Sequence, residues 1–402
     1  MPFESGIGAL RVNFVRETTA GATQADPAWL RYSDELDAVG GWAPNTNIAN
    51  RTAIGSPDIV GFSIGAEDHE LSVSYKLQRW LTTATETPND AAADGLLRDA
   101  NGFLPNTHSF VSRQILSGEG TQAGGDLHVF TYGVGGKINT ASLAGDPGDS
   151  EPVLVELGYT FEKVRSYALS QPNAGTTFTA VSSSASDTTQ TLTVENAAGT
   201  SEALSLNGVT PVVGVTSLTD IGAISLDAEC VGDVTVTFTT GGETSGIIMG
   251  SDSQQGIEGD LGLPLIGSGS YESALGTAFE HILGDTITKG GSPIDVNVMT
   301  MGMSVGNNIQ ADAVTRQKTK VLNEAMRDVE ASVTVFSKDG SHQSTIDHLK
   351  ATTADIVWTM AGGTVTLSNA VLTGPGARSY SKGDATMQRD NTFTSQGLSI
   401  TP

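Results

Sequence analysis

The sequence predicts a mainly β fold with flanking helices: two β-barrel or sandwich modules, with a smaller β-sandwich inserted between them. Three observations carry this expectation. Glycine supplies 48 of 402 residues and only 16% of residues are charged. That glycine share is about 12%, against a usual ~7%, and it is the composition of strands joined by many turns. Apolar and polar residues alternate through several stretches, as Leu71, Val73, Tyr75 and Leu77 do in "HELSVSYKLQRW", the period of a half-buried strand. The second half also repeats short motifs of the first in the same order, which marks an internal duplication.

Along the chain, "DPAWLRYSDELDAVGG" (26–41) predicts a short helix closed by Gly40 and Gly41. After the strand at 69–80, "TPNDAAADGLLRDANG" reads as partly helical. Strands are expected at 108–116, 127–139 and 151–164. From 165 to 250, short strands such as "TQTLTVENAAGT" and "GDVTVTFTTGG" recur at regular spacing, predicting a self-contained, immunoglobulin-like β-sandwich. Lysine and arginine are absent from 166 through 288. A glycine-rich loop follows at 250–270, and helical spacing of apolar residues predicts helices at 271–285 and 310–326, with another over "STIDHLKATT". Strands resume at 328–340 and close the chain through "ADIVWTMAGGTVTLSNAVLTG" and "NTFTSQGLSI".

The repeated motifs are "GSPDIV" with "GSPIDV", "GFSIG" (61–65) with "GMSVG" (302–306), "ELSVSYK" with "EASVTVF", "SFVSRQIL" with "DIVWTM", and "GGKI" with "GGTV". Setting the insert aside leaves two modules of roughly 160 residues, each large enough for one sandwich with a packed helix. The expected domains are therefore 1–164, 165–250 and 251–402.

The stretch "FTYGVGGKINTASLAGDPGDSEPVLVELGYTF" and the ending "GGTVTLSNAVLTGPGARSYSKGDATMQRDNTFTSQGLSI" resemble the tail tube (major tail) proteins of tailed viruses. The resemblance implies a structural virion protein of the tail, assembled in the host cytoplasm into stacked rings that conduct the genome. It implies a decorating role for the inserted domain, and tail terminator and baseplate proteins as partners. Six modules per ring, the family's usual arrangement, need three chains if each carries two; a hexamer of chains is the alternative. A capsid decoration or surface-layer protein is the rival structural expectation.

Charge bears on the partners. There are 45 acidic residues against 21 basic ones, nine of them lysine, for a net charge of −24. The acids are dispersed, so they describe a hydrated surface suited to high salt. With the resemblance, this implies a virus of a halophilic archaeon. Such a surface opposes grip on nucleic acid through a basic face and fits transient, non-specific passage of viral DNA. No apolar run is long enough to span a membrane as a helix, and "MPFESGIGAL" lacks the pattern of a secretory signal.

Candidate chemistry is sparse, and no catalytic, cofactor or metal residue is expected. Ser63 and Ser304 both match G-x-S-x-G, but a nucleophile elbow needs strand, sharp turn and helix. Ser63 leads into a strand; Ser304 is the better candidate for a serine hydrolase, with His342, His348, Asp347 and Asp355 as unconvincing partners. "GVGGKIN" (133–139) has Ile138 where a phosphate loop places Ser or Thr, so it reads as a glycine bulge in a strand. Asp146, Asp149 and Glu151, and likewise Asp339 and Asp347, lack the order of a calcium loop; they read as solvated turns, with weak cation binding in high salt as the alternative. The six histidines, His69, His108, His128, His281, His342 and His348, show no zinc spacing. Cys230, the one cysteine, sits between apolar strand positions and reads as a small buried residue. Asn50-Arg51-Thr52 is an incidental glycosylation match.

Overall fold

A computed structural model describes residues 9–18, 20–21, 28–40, 45–52, 59–78, 91–116, 127–145, 151–170, 175–196, 200–218, 221–227, 230–238, 244–250, 270–272, 275–276, 279, 285–294, 298–313, 320–337, 353–360, 363–375 and 387–401. The first half contains β1 (Ala9–Arg16), β2 (Ala28–Arg31), β3 (Leu36–Gly40), β4 (Asn45–Thr52), β5 (Ile59–Lys76), α1 (Ala91–Leu96), β6 (His108–Leu116), β7 (Leu127–Gly145), β8 (Leu154–Phe161) and β9 (Lys163–Ser170). Next come β10 (Phe178–Ser182), β11 (Thr191–Asn196), β12 (Ser201–Ser205), β13 (Val212–Val213), β14 (Ile221–Leu226), β15 (Asp233–Phe238) and β16 (Thr244–Gly250). The remainder holds β17 (Ser270–Tyr271), β18 (Thr286–Lys289), β19 (Ser292–Pro293), β20 (Val298–Gly306), β21 (Gln310–Ala313), β22 (Lys320–Asn323), β23 (Asp328–Ser337), β24 (Ala354–Met360), β25 (Gly363–Pro375), β26 (Met387–Ser395) and β27 (Gly397–Thr401). The protein is thus mainly β, with almost wholly antiparallel sheets and nearly no helix among the described residues.

Strand pairing follows one plan twice. In the first half an inner layer runs β3–β5–β8–β7 and an outer layer runs β2–β1–β6–β7–β9, with the long β7 bending through both. In the second half the inner layer runs β20–β23–β26–β25 and the outer layer β19–β18–β24–β25–β27, with β25 in the place of β7. Even the irregularities recur. The register breaks between Leu36 and Ala38 and between Val298 and Thr300. It breaks again between Ile138 and Thr140 and between Leu372 and Gly374. The bulge opposite His108/Phe110 contains Gly135 at φ 68°, and the matching bulge opposite Ala354/Ile356 contains Asn369 at φ 52°. Bulges are specific local geometries, so their coincidence pins the correspondence residue by residue: Val73 pairs with Leu157 as Val333 pairs with Asn391.

Each pair of layers closes over apolar side chains from alternate positions, the period of two that strands impose. Leu71, Val73, Tyr75, Val155, Leu157 and Tyr159 point inward in the first half, and Val329, Ala331, Val333, Val335 and Phe393 in the second. Met301, Met303 and Val305 on β20 belong to the same apolar cluster as Ala141 and Leu143 on β7. β10, β13, β15 and β16 form one sheet of a further sandwich and β11, β12 and β14 the other, and its apolar cluster runs on into Val15, Trp29, Val111 and Tyr132 of the first half. Phe178, Leu192, Val194, Ile224, Val234, Val236 and buried Cys230 lie in its core. β9 stays paired with β7 as far as Ser170, beyond residue 165, where the sequence places the start of the sandwich.

Apart from α1, the flanking helices that fall on described residues are corrected to strands and turns. The helix expected at 26–41 is β2 and β3. Trp29 and Leu30 pack into different apolar clusters, which alternation achieves and a helical stripe does not. At 310–326 the helical spacing yields instead to the β21·β22 hairpin, which buries Leu322. At 271–285 the described residues show no helix. Ser270 and Tyr271 pair in parallel with Ala28 and Trp29, and the Leu275 and Gly276 N–H groups donate to the Asp34 carboxylate. Gly276, at φ 64°, turns the chain where a helix would have continued. The helix expected over 344–353 lies outside the described residues for all but its last position, as do Asp146, Asp149, His281, Asp339, His342, Asp347 and His348.

Candidate functional site

The feature that sets this fold apart is the join between its halves. β20 pairs with β23 on one side and with the inner part of β7 on the other, Met301 opposite Gly145 through Gly306 opposite Thr140. Eight strands, among the described residues, therefore run as one inner sheet: β3–β5–β8–β7–β20–β23–β26–β25. One face of it covers the core and the other is open.

Alternation decides what the open face carries. Since the inward positions are apolar, the intervening ones face out: Glu70, Ser72, Ser74 and Lys76 on β5, Thr140 and Ser142 on β7, Gly302 and Ser304 on β20, and Asp328, Glu330, Ser332 and Thr334 on β23. Glu156, Asp390, Thr392 and Thr394 continue the pattern on β8 and β26. Across the join, Glu156, Ser142, Ser304 and Glu330 stand in one row of successive cross-strand neighbours. They line a shallow cleft of about 680 Å³ with Ser74, Thr140 and Asp328. Ser142 donates to Glu156 at 3.4 Å, and Thr334 to Asp390 at 2.7 Å. Lys76 is turned to Glu151 at 2.7 Å, and that hydrogen bond raises its pKa and keeps it charged. The face is small, hydroxylated and acidic.

A polar clasp fixes the join at one end. Asn307 donates to the carbonyls of Gly95 (2.9 Å) and Ile138 (2.8 Å), so it ties the end of β20 to α1 and β7. Glu324, after β22, accepts from Arg98, from Lys137 (3.0 Å) and from the Leu104 N–H (2.8 Å). Arg327 donates to the Leu96 carbonyl at 2.8 Å. Behind it, α1 is anchored through buried Asp94, which accepts from Arg16 at 2.6 Å and meets His108 Nε2 at 2.7 Å. Burial raises the Asp94 pKa, but the hydrogen bond and charge of His108 and the Arg16 guanidinium more than offset this, and the net shift is downward. His108 Nδ1 lies 3.2 Å from the Tyr159 hydroxyl. Burial holds that phenol well above its ordinary pKa, in the neutral form.

Ser304 is on the open face, but in mid-strand between Ser142 and Glu330. The strand–turn–helix of an elbow is missing there, and among the described residues no histidine lines the cleft. Ser63 belongs to the hairpin part of β5, opposite Ala49. The two G-x-S-x-G matches are therefore not equivalent positions, since β20 corresponds to β3. "GVGGKIN" forms the bulge of β7: the Gly135 N–H donates to Glu17 at 2.8 Å, and Lys137 is taken up by the clasp. A Cβ at Gly136 would fall 2.3 Å from the Phe161 ring, so close packing explains that glycine. Glu151 is bound to Lys76, and Asp355 accepts from the Asn369 N–H. Among the described residues, no group of three His, Cys, Asp or Glu side chains is placed to hold a metal, and no helix is long and apolar enough to cross a membrane. The clasp residues Asn307, Glu324 and Arg327 had no sequence signal beyond the polar turn after "GMSVG".

No protein-family model matches the chain, and no curated protein matches it. Among solved structures there are matching chains, one of them described as the crystal structure of Hcp protein. It is 11% identical, with a TM-score of 0.20, and the similarity covers 49% of this chain and 98% of that one.

Proposed function

We propose that the protein is a tube-forming structural subunit: three chains close into a ring of six sandwich modules, and rings stack around an acid-lined conduit for DNA. The observation that carries this is a pair of complementary open edges. β7 is paired on both sides of its inner part, by β8 and β20. The matching part of β25, Val371–Pro375, is paired on one side only among the described residues, by β26. β20 likewise has two neighbours, whereas its counterpart β3 pairs only with β5 among the described residues. The within-chain join supplies the template for joining β25 of one chain to β3 of the next. Closure removes both edges, which otherwise invite uncontrolled pairing.

The dimensions agree. Eight inner strands per chain give three chains a wall of about 24 strands. At ~4.8 Å per strand and a tilt of about 40°, that wall is roughly 48 Å across at the backbone. Side chains on both sides take roughly 10 Å of this, which leaves room for a duplex. The open face becomes the bore, where carboxylates among hydroxyls oppose retention of phosphate. The modules are 1–170 and 251–402, with 171–250 as an immunoglobulin-like insertion on the outside. The tail-tube resemblance supports six modules per ring and a place in the virion tail of a halophilic archaeal virus.

Electron microscopy of the purified protein at molar salt tests this. Rings with three chains and a central channel are expected. Particles without a channel, across a wide range of concentration, would refute the tube and favour a decoration or surface-layer protein.

A further inference from the structure

Outside the inserted sandwich, the exposed large apolar side chains among the described residues are Phe103, Met326 and Val371. Phe103 is 55% and Met326 84% exposed, and they stand on segments that the clasp binds together. Leu104, next to Phe103, donates its N–H to Glu324, and Arg327, next to Met326, donates to the Leu96 carbonyl. One residue comes from each half, so the pair straddles the join.

Neither side chain is on a loose loop. The Asp99 carboxylate accepts from the Asn101 N–H at 2.8 Å and the Phe103 N–H at 2.9 Å, and the Asp99 N–H donates to the Phe103 carbonyl at 2.7 Å. On the other side Asn308, at φ 51°, donates to the Met326 carbonyl at 2.7 Å. Two tight turns thus hold apolar groups out into solvent on an acidic protein, the kind of surface that marks a contact.

The same end of the sheet says what covers it. β5 continues past His69, where its pairing with β8 stops, and there it pairs only with β4 among the described residues. The hairpin runs from Asn45 opposite Asp68 to Thr52 opposite Ile59, about 25 Å at the rise of a strand. The β21·β22 hairpin leaves the same end of the sheet and lies against β5. Both reach beyond the sheet end that carries Phe103 and Met326, so an object on this end must also lie alongside the hairpins. In a polar stack that object is the opposite end of another copy, the head-to-tail contact that makes filaments.

We infer that Phe103 and Met326 are the apolar anchor of the ring-stacking face, and that its partner is the opposite end of a second copy of this chain. The inference rests on the tube reading and adds to it the residues by which one ring holds the next. An acidic chain gains from an apolar anchor here, because charged groups facing one another between stacked copies would repel.

The test compares wild type with Phe103→Asp/Met326→Asp at molar salt, by electron microscopy and sedimentation. Val215→Asp, at an exposed site of the inserted sandwich, serves as control. The double variant is expected to form rings with the wild-type number of chains, while the concentration at which tubes appear rises at least tenfold; the control should match wild type. Phe103→Ser/Met326→Ser, milder to the local fold, should shift it in the same direction. Tubes from both double variants at the wild-type concentration would overturn the stacking face while leaving the ring intact. Absence of rings from wild type itself would overturn the tube reading, and the stacking face with it.

Discussion

Glu324→Ala removes the centre of the clasp, and its effect can be worked from the structure. The Glu324 side chain is 5% exposed and its partners Arg98 and Lys137 are 13% and 20% exposed. Removing one member of a buried ion pair costs about 3–5 kcal/mol, because the partner charges stay behind. Arg98 and Lys137 keep some access to water, which puts the cost near the lower end, about 3 kcal/mol. Unfolding entropy is ~2.1 cal/mol/K per residue. If both halves unfold together, about 320 residues, the midpoint should fall by roughly 5 °C; if one half unfolds alone, by roughly 9 °C. Differential scanning calorimetry at moderate salt reads this directly and separates the two cases. Glu151→Ala, which removes an exposed carboxylate from Lys76, should leave the midpoint unmoved. A shift under about 1 °C for Glu324→Ala would show that the clasp does not hold the join.

Asn391 is fully buried, and both polar atoms of its amide lack a hydrogen-bond partner among the described residues; Leu157 occupies the matching place in the first half. Asn391→Leu should therefore stabilise the protein by about 1–3 kcal/mol, seen as a higher denaturant midpoint, and a lower one would show that the amide is needed. Because the folded pKa of Asp94 lies below 3.8, its stabilisation is complete above that value and is lost as pH falls through the folded pKa. Asp94→Asn should therefore lower stability at neutral pH and flatten the acid limb of an unfolding-against-pH curve; an unchanged acid limb would contradict this. Glu156→Lys/Glu330→Lys/Asp328→Lys should leave ring formation intact but make tubes retain duplex DNA at low salt. Retention should fall steeply as salt rises, and a gel-shift assay showing none would refute an electrostatic role for these carboxylates.

Much of the β architecture is legible because alternation is local. The spacing of Leu71, Val73 and Tyr75 gives both a strand and the face it buries, and "ELSVSYK" with "EASVTVF" aligns residues that the pairing makes equivalent. Helical spacing misleads where a partner elsewhere in the chain decides the outcome. Leu275 and Gly276 give their N–H groups to Asp34, and Gln310–Ala313 pairs antiparallel with Lys320–Asn323 although the spacing there fits a helix. "GFSIG" and "GMSVG" look alike but stand in different places: Gly302 pairs with Ser332 as Gly40 pairs with Ser72. The clasp is invisible in the sequence because Arg98, Asn307 and Glu324 are brought together only by the join, and no local pattern announces residues about 200 positions apart.

The join of β7 to β20 also bears on kinetics. In the proposed ring of six modules, half the seams are formed when the chain folds, at the high effective concentration that a covalent link provides. Ring closure then requires the meeting of three bodies, not six, and depends far less steeply on how much protein the cell has made. Two modules on one chain are also free to differ: the first carries the β4·β5 hairpin and the inserted sandwich, the second the β21·β22 hairpin. If the proposed ring forms, fusion closes it sooner and gives its rim two kinds of surface.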